Sequence, residues 1–448
     1  MNNALAELYG SDNLIRLADK DSGFNHSIWD RVVKWLHSKR GYEIDDKPVK
    51  DLINETYRVL SEGVNSAITE EVPAELTQSL LNNTYIFSGF KTYHEMRQAS
   101  ALLRSSTGGF KSFEQFYRDV KKIDNTYNRS YLAAEYEFAV QSTQMAVKWK
   151  DWEEMGDRYM LQYRTAGDER VREEHAALNN TTLPMSDKFW DSYLPPLGWR
   201  CRCTVVQVRK GKYPVSDSDA ACSVGEHATS LPKQKIFRFN PGKTGKVFPP
   251  KHPYLPKGCG ACELASGKIK LSIGKNKEIC KTCIYLHQCL VNDYEEIKHG
   301  KGKIRINKMV NRTDSDFEKL YQIAEYFAER GSIVELPPKS SRPEKFVYDC
   351  IYKELKGTMY YNKCPDLKID GVFYEHEGFV TNNPKNALKN MLNRGLQQCD
   401  KLIIDKPNLA EWHIKRKIIE RITYEHQDIS EVWIKEGSNL ELIFKREG

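Results

Sequence analysis

The segment from Tyr163 to Val208 constrains the fold of this chain more than any other, because it gathers unusual side chains into one short run. It contains an Asp-Glu-Arg triplet, His175, pairs of Trp and Pro, and a Cys-Arg-Cys triplet that precedes a strand-like TVVQV. A helical run from Arg129 to Glu154 leads directly into it and spans about seven turns at 3.6 residues per turn. We therefore predict that residues 1–210 form a helical region that supports a compact motif domain.

Length and composition limit the classes of protein that fit. A chain of 448 residues is too long for one ordinary core and predicts about two to four domains. Its hydrophobic content of 40% favours globular folding over wholesale disorder, and its net charge of +7 permits contact with nucleic acid without indicating it. The sequence shows no secretory signal and no apolar run of about 18 residues. We therefore expect a cytoplasmic protein at synthesis, with no membrane partner.

Changes in composition divide the rest of the chain. Gly, Pro, Ser and Lys between residues 211 and 256 are typical of a linker. A cysteine-rich segment follows at 257–292, then a basic linker at 293–312, and residues 313–448 alternate helical and strand-like patterns. The predicted fold class is therefore multidomain, with a mainly α N-terminal region, a small segment like a zinc ribbon, and a C-terminal α+β domain.

The eleven cysteines are clustered, which in a cytosolic protein indicates metal binding before disulfides. Cys259 and Cys262 form one C-x-x-C pair, and Cys280 and Cys283 form another after 17 intervening residues. This spacing is typical of a structural zinc ribbon, and metal binding would supply folding energy that so short a segment lacks. We predict a structural zinc ion here. The alternatives are incidental thiols, a disulfide, or an iron–sulfur cluster with Cys289 as a further ligand.

Cys201 and Cys203, with His175 and Asp168, offer the donors for a second metal site or for a polar site. The interpretation that we favour is that His175 is buried and hydrogen-bonded, while the two thiols pack as small apolar groups. Arginines on either side of Asp168 suit charge-assisted hydrogen bonds that lock neighbouring loops. We therefore interpret this motif as architectural and assign it no catalytic residue.

These residues, with Trp190, the Pro195–Pro196 pair and Trp199, resemble the signature of the phage Mu protein F-like (phage head morphogenesis) family of minor capsid proteins. The resemblance covers roughly residues 50–210. It implies a phage or prophage protein that associates with the portal and other head proteins and acts in capsid assembly or early DNA delivery. By the same resemblance, the assembled protein is expected in the virion.

A different group of polar residues lies in the stretch KCPDLKIDGVFYEHEGF, whose pattern predicts two strands joined by a turn at Asp370-Gly371. Alternation in the second strand places Glu375 and Glu377 on one face and His376 on the other. Carboxylates that face cations suit phosphodiester chemistry, in which an acid or His moves the proton and Lys or Arg steadies the phosphorane. The candidate catalytic residues are Asp366, Asp370, Glu375, His376, Glu377, Lys385, Lys389 and Arg394.

The order of these motifs, from the Pro-Asp pair to the strand KLIIDKP, resembles the tRNA-nuclease C-terminal domain of contact-dependent inhibition toxins. The resemblance implies an RNA endonuclease of barnase/RelE-like fold, with tRNA as substrate and an immunity protein as partner. The second interpretation of these residues is a PD-(D/E)XK-like nuclease that binds Mg²⁺, but Glu377 occupies the position where that pattern has Lys. We therefore favour metal-independent cleavage through the RNA 2′-hydroxyl. The alternative is a non-enzymatic domain that only binds nucleic acid or a partner.

Overall fold

The computed structural model describes residues 2–9, 23–68, 72–256, 277–308, 310, 312, 316–338, 348, 351–378, 384–407 and 410–446. These residues divide into two compact units. Unit 1 contains the described residues before 257 together with 277–286, and unit 2 contains the described residues from 287 onwards. The predicted multidomain organisation is confirmed in its coarse form, with a mainly helical unit 1 and a mixed β-sheet in unit 2.

Helices form most of unit 1, and the local sequence explains where several of them begin. The described helices are α1 (Asn2–Tyr9), α2 (His26–Lys39), α3 (Lys47–Ala67), α4 (Ala74–Ala101), α5 (Phe113–Asp124), α6 (Leu132–Met155), α7 (Glu173–Ala176), α8 (Phe189–Tyr193), α9 (Ser218–Ala228), α10 (Pro232–Lys235), α11 (Pro241–Thr244) and α12 (Lys277–Val291), of which residues 277–286 belong to unit 1. The Asn25 side chain caps α2 by accepting a hydrogen bond from the Ser27 amide. Pro48 occupies the first turn of α3, where its missing N–H costs no hydrogen bond.

The helical run predicted before the motif is present as α6, and a π-helical segment, Asn125–Tyr131, joins it to α5. The buried face of α6 carries Phe138, Trp149 and Trp152 together with several alanines, which allow close packing against α3 and α11. Among the described helices, none is long and apolar enough to cross a membrane.

A buried ion-pair network, which we define as Tyr9, Lys91, Glu95 and Glu135, crosses the helical core of unit 1. The Lys91 Nζ lies 2.5 Å from the Glu135 Oε2, and both side chains are fully inaccessible to solvent. The Tyr9 hydroxyl donates to the other Glu135 oxygen, while the amide of Asn128 donates to the Glu95 Oε1 at 2.7 Å. Burial raises the pKa of Glu95 to about 8, although the charge of Lys91 acts in the opposite direction.

A small antiparallel sheet follows α6 and holds the motif segment in place. Its strands are β1 (Tyr159–Arg164), β2 (Thr182–Leu183) and β3 (Thr204–Arg209), in the order β2-β1-β3. The predicted strand TVVQV is β3, which pairs with β1 along its whole length. Aromatic side chains from α6, β1 and α8 pack between the sheet and the helices, which fixes the position of the loops around the sheet.

Residues 211–256 differ from the linker that their Gly, Pro and Ser content predicts. They form α9, α10 and α11, and they bury Phe237, Phe239, Phe248 and Tyr254 in unit 1. The Phe248 ring stacks on the Phe87 ring of α4 with centroids 3.8 Å apart. Four large aromatic side chains at intervals among polar residues are enough to anchor the segment, because each one buries a large apolar area. The segment is therefore part of the core of unit 1.

Unit 2 is built on an eight-stranded mixed sheet in the order β11-β10-β9-β8-β7-β6-β5-β4. The strands are β4 (Tyr294–His299), β5 (Gly302–Asn307), β6 (Ile333–Leu336), β7 (Leu367–Ile369), β8 (Val372–Glu377), β9 (Lys401–Asp405), β10 (Glu431–Glu436) and β11 (Asn439–Lys445). Helix α13 (Phe317–Glu329) packs on one face of the sheet, and α14 (Pro384–Gly395) and α15 (Glu411–Tyr424) pack on the other. Strands β8, β9 and β10 are parallel, so their carboxyl ends meet at one edge.

The segment predicted as a basic linker, 293–312, also differs from its prediction. Residues within it form the antiparallel hairpin of β4 and β5, and β5 pairs with β6. In β5 the buried Ile304 and Ile306 alternate with Lys303 and Arg305. This is the period of a strand with one buried face, which the high Lys content of the segment conceals. The C-terminal domain therefore begins near residue 294 instead of 313.

Candidate functional site

The motif segment of unit 1 is held by ion pairs and backbone hydrogen bonds between its loops. Arg202 binds the Asp168 carboxylate with two hydrogen bonds of 2.5 Å each, and the Arg170 amide donates to the same carboxylate at 3.1 Å. The hydrogen bond from Arg202 is the main reason that the pKa of Asp168 falls to about 2. The Arg172 guanidinium donates to the Trp199 carbonyl at 2.9 Å. These contacts join the loop after β1 to the loop before β3.

The same two loops bring His175, Cys201 and Cys203 together, and we call these three residues the His/Cys cluster. His175 lies in α7, and the two cysteines flank Arg202 immediately before β3. The His175 Nδ1 is 3.7 Å from the Cys201 sulfur and 3.8 Å from the Cys203 sulfur, and all three residues are buried. Hydrogen bonding from Cys203, and then from His175, lowers the pKa of the Cys201 thiol well below 9.

The donor atoms of the His/Cys cluster all lie within 4.8 Å of one another, and within the described ranges no other group of three His, Cys, Asp or Glu meets this condition. The cluster forms part of the wall of a cavity of about 980 Å³, whose lining includes Arg170, Arg172, Arg200 and Arg202. Asp168 does not join the cluster, because its carboxylate is bound to Arg202 at the surface.

In unit 2, the strand-edge cluster consists of His376, Glu377, Arg394, Asp405 and Lys319, at the carboxyl ends of β8 and β9. The His376 Nε2 lies 3.1 Å from the Asp405 Oδ1, and the Lys319 Nζ lies 3.8 Å from the other oxygen of that carboxylate. Burial acts to raise the pKa of Asp405, but the hydrogen bond and charge of His376, and then the charge of Lys319, outweigh it and lower that pKa.

Arg394 of α14 provides the second ion pair of the strand-edge cluster. Its guanidinium binds one oxygen of Glu377 through two nitrogens, at 2.9 and 2.7 Å, and also donates to the Gly378 carbonyl. Burial raises the pKa of Glu377, although Arg394 acts to lower it. The Glu377 side chain is 13% exposed and that of Arg394 is 35% exposed, so a ligand at this edge can reach the pair.

Some of the predicted catalytic residues lie near the strand-edge cluster. His376 and Glu377 face opposite sides of β8, towards α13 and α14 respectively, which agrees with the predicted alternation. Asp366 and Glu375 lie beside each other at the start of β7: the Asp366 amide donates to the Glu375 Oε2 at 3.2 Å, and the His376 amide donates to the Asp366 Oδ2 at 3.1 Å. The structure therefore brings four predicted residues to adjacent positions on the sheet.

Other predicted site residues have different positions. Asp370 lies in the predicted turn, where its carboxylate accepts a hydrogen bond from the Ile333 amide at 2.8 Å, a structural contact between β6 and the hairpin. Lys389 is exposed on α14, and its charge acts on His426. Lys385 lies in the first turn of α14, but its side chain is outside the described part of the structure.

The predicted zinc ligands are only partly within the described residues. Cys280 and Cys283 lie one turn apart on α12, and both are half-buried. Cys259 and Cys262 lie outside the described residues. The zinc site in this segment therefore stays a prediction.

Sequence reasoning missed two members of the strand-edge cluster, Asp405 and Lys319. Asp405 ends the apolar strand β9, and an acid that follows a buried parallel strand is a signal that could have identified it. Lys319 comes from α13, far away in the sequence, and only the packing of that helix on the sheet brings it to the Asp405 carboxylate.

Comparison with known proteins finds a similarity in part of unit 1. Residues 99–206 match the family described as Phage Mu protein F like protein, and the matched region includes the His/Cys cluster and the first half of β3. Over 87 residues the chain is 36% identical to the putative capsid assembly protein F of Escherichia phage Mu. This alignment covers 19% of the chain and 19% of that relative, so the likeness spans about a fifth of each protein. No solved structure matches the chain.

Proposed function

We propose that this chain is a minor head protein of a phage or prophage and that unit 1 acts in capsid assembly. The observation that carries the proposal is the family match over residues 99–206, which contains the whole loop system held by Asp168, Arg172 and Arg202. A relative described as a putative capsid assembly protein supports the same role. The partners that we propose are the portal and other head proteins of the same phage, and the location is the assembled virion.

The head role is tested with purified capsids of the phage or prophage that encodes the chain. We expect the full-length chain in the heads at low copy number, detected by mass spectrometry, and we expect the tagged full-length chain to capture the portal protein from lysates. Heads that assemble normally and lack the chain at every stage would contradict the proposal. Portal and terminase genes beside the coding gene are the genomic observation that agrees with it.

A second function, RNA cleavage by unit 2, is favoured by the ion pair of Glu377 and Arg394 at the carboxyl edge of three parallel strands. In this proposal the RNA 2′-hydroxyl attacks the adjacent phosphorus and gives its proton to Glu377, whose raised pKa suits a general base. Arg394 neutralises charge on the phosphorane, and the 5′-oxygen leaves with a proton from water. The products are a 2′,3′-cyclic phosphate and a 5′-hydroxyl.

The metal-independent route is consistent with the arrangement of the acids. Asp366, Glu375 and Glu377 do not bring three ligand oxygens within 4.8 Å in the described part of unit 2. A Mg²⁺-dependent reaction at these acids is the alternative, because one or two carboxylates together with water and the substrate phosphate are enough to hold Mg²⁺. Cleavage that persists in EDTA separates the two routes.

The cleavage test uses the full-length chain and tRNA, because a fragment that starts at residue 313 lacks β4 and β5 and exposes the edge of β6. We expect Glu377→Gln to lower the rate at least about 100-fold, as for loss of a general base. Glu441→Gln is the matched control, since Glu441 is exposed on β11 and pairs with Lys415 outside the cluster. If tRNA stays intact under all conditions, the nuclease proposal is wrong, and with it the immunity protein as a partner. The proposed head role does not depend on this result. Salt-dependent RNA binding without product then identifies unit 2 as a binding domain.

A further inference from the structure

We propose that the His/Cys cluster of unit 1 is a Zn²⁺ site, in which His175, Cys201 and Cys203 supply three ligands and the adjoining cavity supplies the fourth. The site is separate from the zinc ion predicted for the cysteine-rich segment, and it does not depend on the proposed head role. It replaces the interpretation of these residues as plain packing groups, which the sequence favours.

The distances within the cluster fit a common metal ion better than a hydrogen bond. One imidazole Nδ1 makes a single hydrogen bond, yet two sulfur atoms lie at nearly equal distances from it, 3.7 and 3.8 Å. A tetrahedral zinc ion with bonds of about 2.3 Å to sulfur and about 2.0 Å to nitrogen separates the nitrogen from each sulfur by roughly 3.5 Å. The observed separations are close to this value for both sulfurs.

The chemistry of the donors selects the metal. Two thiolates and one imidazole are soft and borderline ligands, which bind Zn²⁺ well and bind Mg²⁺ or Ca²⁺ poorly. All three residues are buried, with at most 9% of the residue surface exposed, so the protein surrounds the three ligand atoms. The alternative metal for such donors is iron, which metal analysis distinguishes from zinc.

The loops around the cluster hold the ligands in position without taking part in binding. Arg202, between the two cysteines, is directed to Asp168, and Arg172 anchors the Trp199 carbonyl just before Cys201. Gly198 lies so close to Arg172 that a Cβ added there would be 3.2 Å from the guanidinium Nη1. The hydrogen bonds of Arg172 and Arg202 therefore restrain the backbone on both sides of Cys201.

The fourth coordination position is open in this arrangement, because the three side chains form part of the wall of the 980 Å³ cavity. Three protein ligands and one exchangeable ligand are typical of zinc sites that are accessible to solvent. The cavity lining holds four arginines and Lys233 against Glu137 and Glu174, and this excess of positive charge favours hydroxide or a small anion as the exchangeable ligand.

The test must separate this site from the cysteine-rich segment. The full-length chain is prepared with Ser in place of five cysteines: Cys259, Cys262, Cys280, Cys283 and Cys289. It is dialysed against a buffer that contains Zn²⁺, freed of unbound metal, and analysed for bound zinc. We expect one zinc per chain. Substitution by Co²⁺ should give the visible bands of a tetrahedral ion and the near-ultraviolet absorption of a cobalt–thiolate bond. A variant that is folded by circular dichroism but holds no zinc overturns the proposal.

Substitutions within that background then identify the ligands. We expect Cys203→Ser and His175→Gln each to abolish the bound zinc, while Cys222→Ser, a half-buried cysteine on α9 in the same unit, keeps one zinc per chain. If Cys203→Ser fails to fold, the variant with the five Ser substitutions gives a second measurement. A chelator removes its zinc, and we expect the midpoint of its unfolding to fall relative to the zinc-bound form. Unchanged zinc content in Cys203→Ser, or an unchanged midpoint after zinc removal, overturns the proposal.

Discussion

The buried ion-pair network of unit 1 and the strand-edge cluster of unit 2 use the same types of side chain in opposite settings. Lys91 and Glu135 have no exposed surface and sit between helices. Glu377 and Arg394 are 13% and 35% exposed and lie where parallel strands end. A charge that is fully removed from water must keep its partner, whereas a charge at an accessible edge can exchange its partner for a ligand.

This difference separates residues that hold the molecule together from residues that are able to act on something else. In unit 1 every member of the buried network is fixed by another member or by a neighbouring helix, so a substitution should appear first as a loss of stability. In unit 2 the Glu377, Arg394, Asp405 and Lys319 side chains of the cluster are partly exposed, so substitutions there should affect stability less. The predictions below test this contrast, from the largest expected effect to the smallest.

Lys91→Met should have the largest effect, because it leaves the Glu135 carboxylate buried without its cation. We expect the free energy of unfolding of unit 1 to fall by about 3–5 kcal/mol. Urea denaturation followed by Trp fluorescence measures this loss, since six of the eight Trp residues belong to unit 1. The control is the double variant with Lys91→Met and Glu135→Gln. The Gln side chain carries no charge but still accepts a hydrogen bond from the Tyr9 hydroxyl, so the double variant should recover much of the lost free energy of unfolding. A loss below about 1 kcal/mol would show that the pair is not a stabilising contact.

Glu95→Gln should change how stability depends on pH. The pKa of Glu95 is raised to about 8 in the folded protein from an ordinary value of 4.5, so the folded state keeps a proton that the unfolded state has released between these values. Stability from this group is complete below pH 4.5 and is lost as pH rises to 8, at a rate of up to about 1.4 kcal/mol per pH unit.

The measurement for Glu95 is the difference in free energy of unfolding between wild type and Glu95→Gln at pH 5, 6, 7 and 8. We expect the wild type to lose its advantage progressively over this range, because the Gln side chain does not titrate. Parallel curves for the two proteins would mean that Glu95 is ionised in the folded state, in contradiction to its burial.

Much of unit 1 could be predicted from its sequence, because its signals are local. The cap at Asn25, the proline at the start of α3, the long helix before the motif and the strand TVVQV all depend on residues close together in the chain. The convergence of His175 with Cys201 and Cys203 depends instead on the loops that Arg172 and Arg202 hold. The sequence grouped these three residues with Asp168, which the structure places on Arg202 instead, and its spacing could not decide between packing and metal binding.

The fold of unit 2 was harder to predict, because its sheet is built from pairings between segments that are distant in the sequence. The turn at Asp370-Gly371 and the alternation in β8 are local and were predicted. The hairpin at 294–307 was not predicted, because its many basic residues concealed the alternation of buried and exposed side chains that is typical of a strand. Asp405 and Lys319 reach the cluster only because β9 pairs with β8 and α13 packs across the sheet. The sequence near His376 predicts neither of these contacts.

Asp405→Asn should have a moderate effect on unit 2. The substitution removes the charge that binds His376 and Lys319, and we expect a loss of about 1–2 kcal/mol at pH 7. The pKa of Asp405 is below its ordinary value of 3.8, so its contribution is present above that pH and is lost as pH falls through the lower, folded value. The difference from wild type should therefore shrink below about pH 4. Glu436→Gln, an exposed acid at the same edge, is the control and should leave stability unchanged.

Asp168→Asn should have the smallest effect on stability, although Asp168 makes the closest ion pair of the motif segment. Both Asp168 and Arg202 are solvent-exposed, so water replaces much of what the pair provides. We expect an unfolding midpoint in urea that is indistinguishable from wild type, both at low salt and at about 1 M NaCl, where exposed charges are screened. Arg202→Lys, which keeps the charge and loses the bidentate geometry, should behave in the same way. A midpoint shift as large as that of Lys91→Met would mean that this loop closure is coupled to the core. In that event exposure would no longer separate the stabilising charges of this protein from those that we propose to bind a ligand.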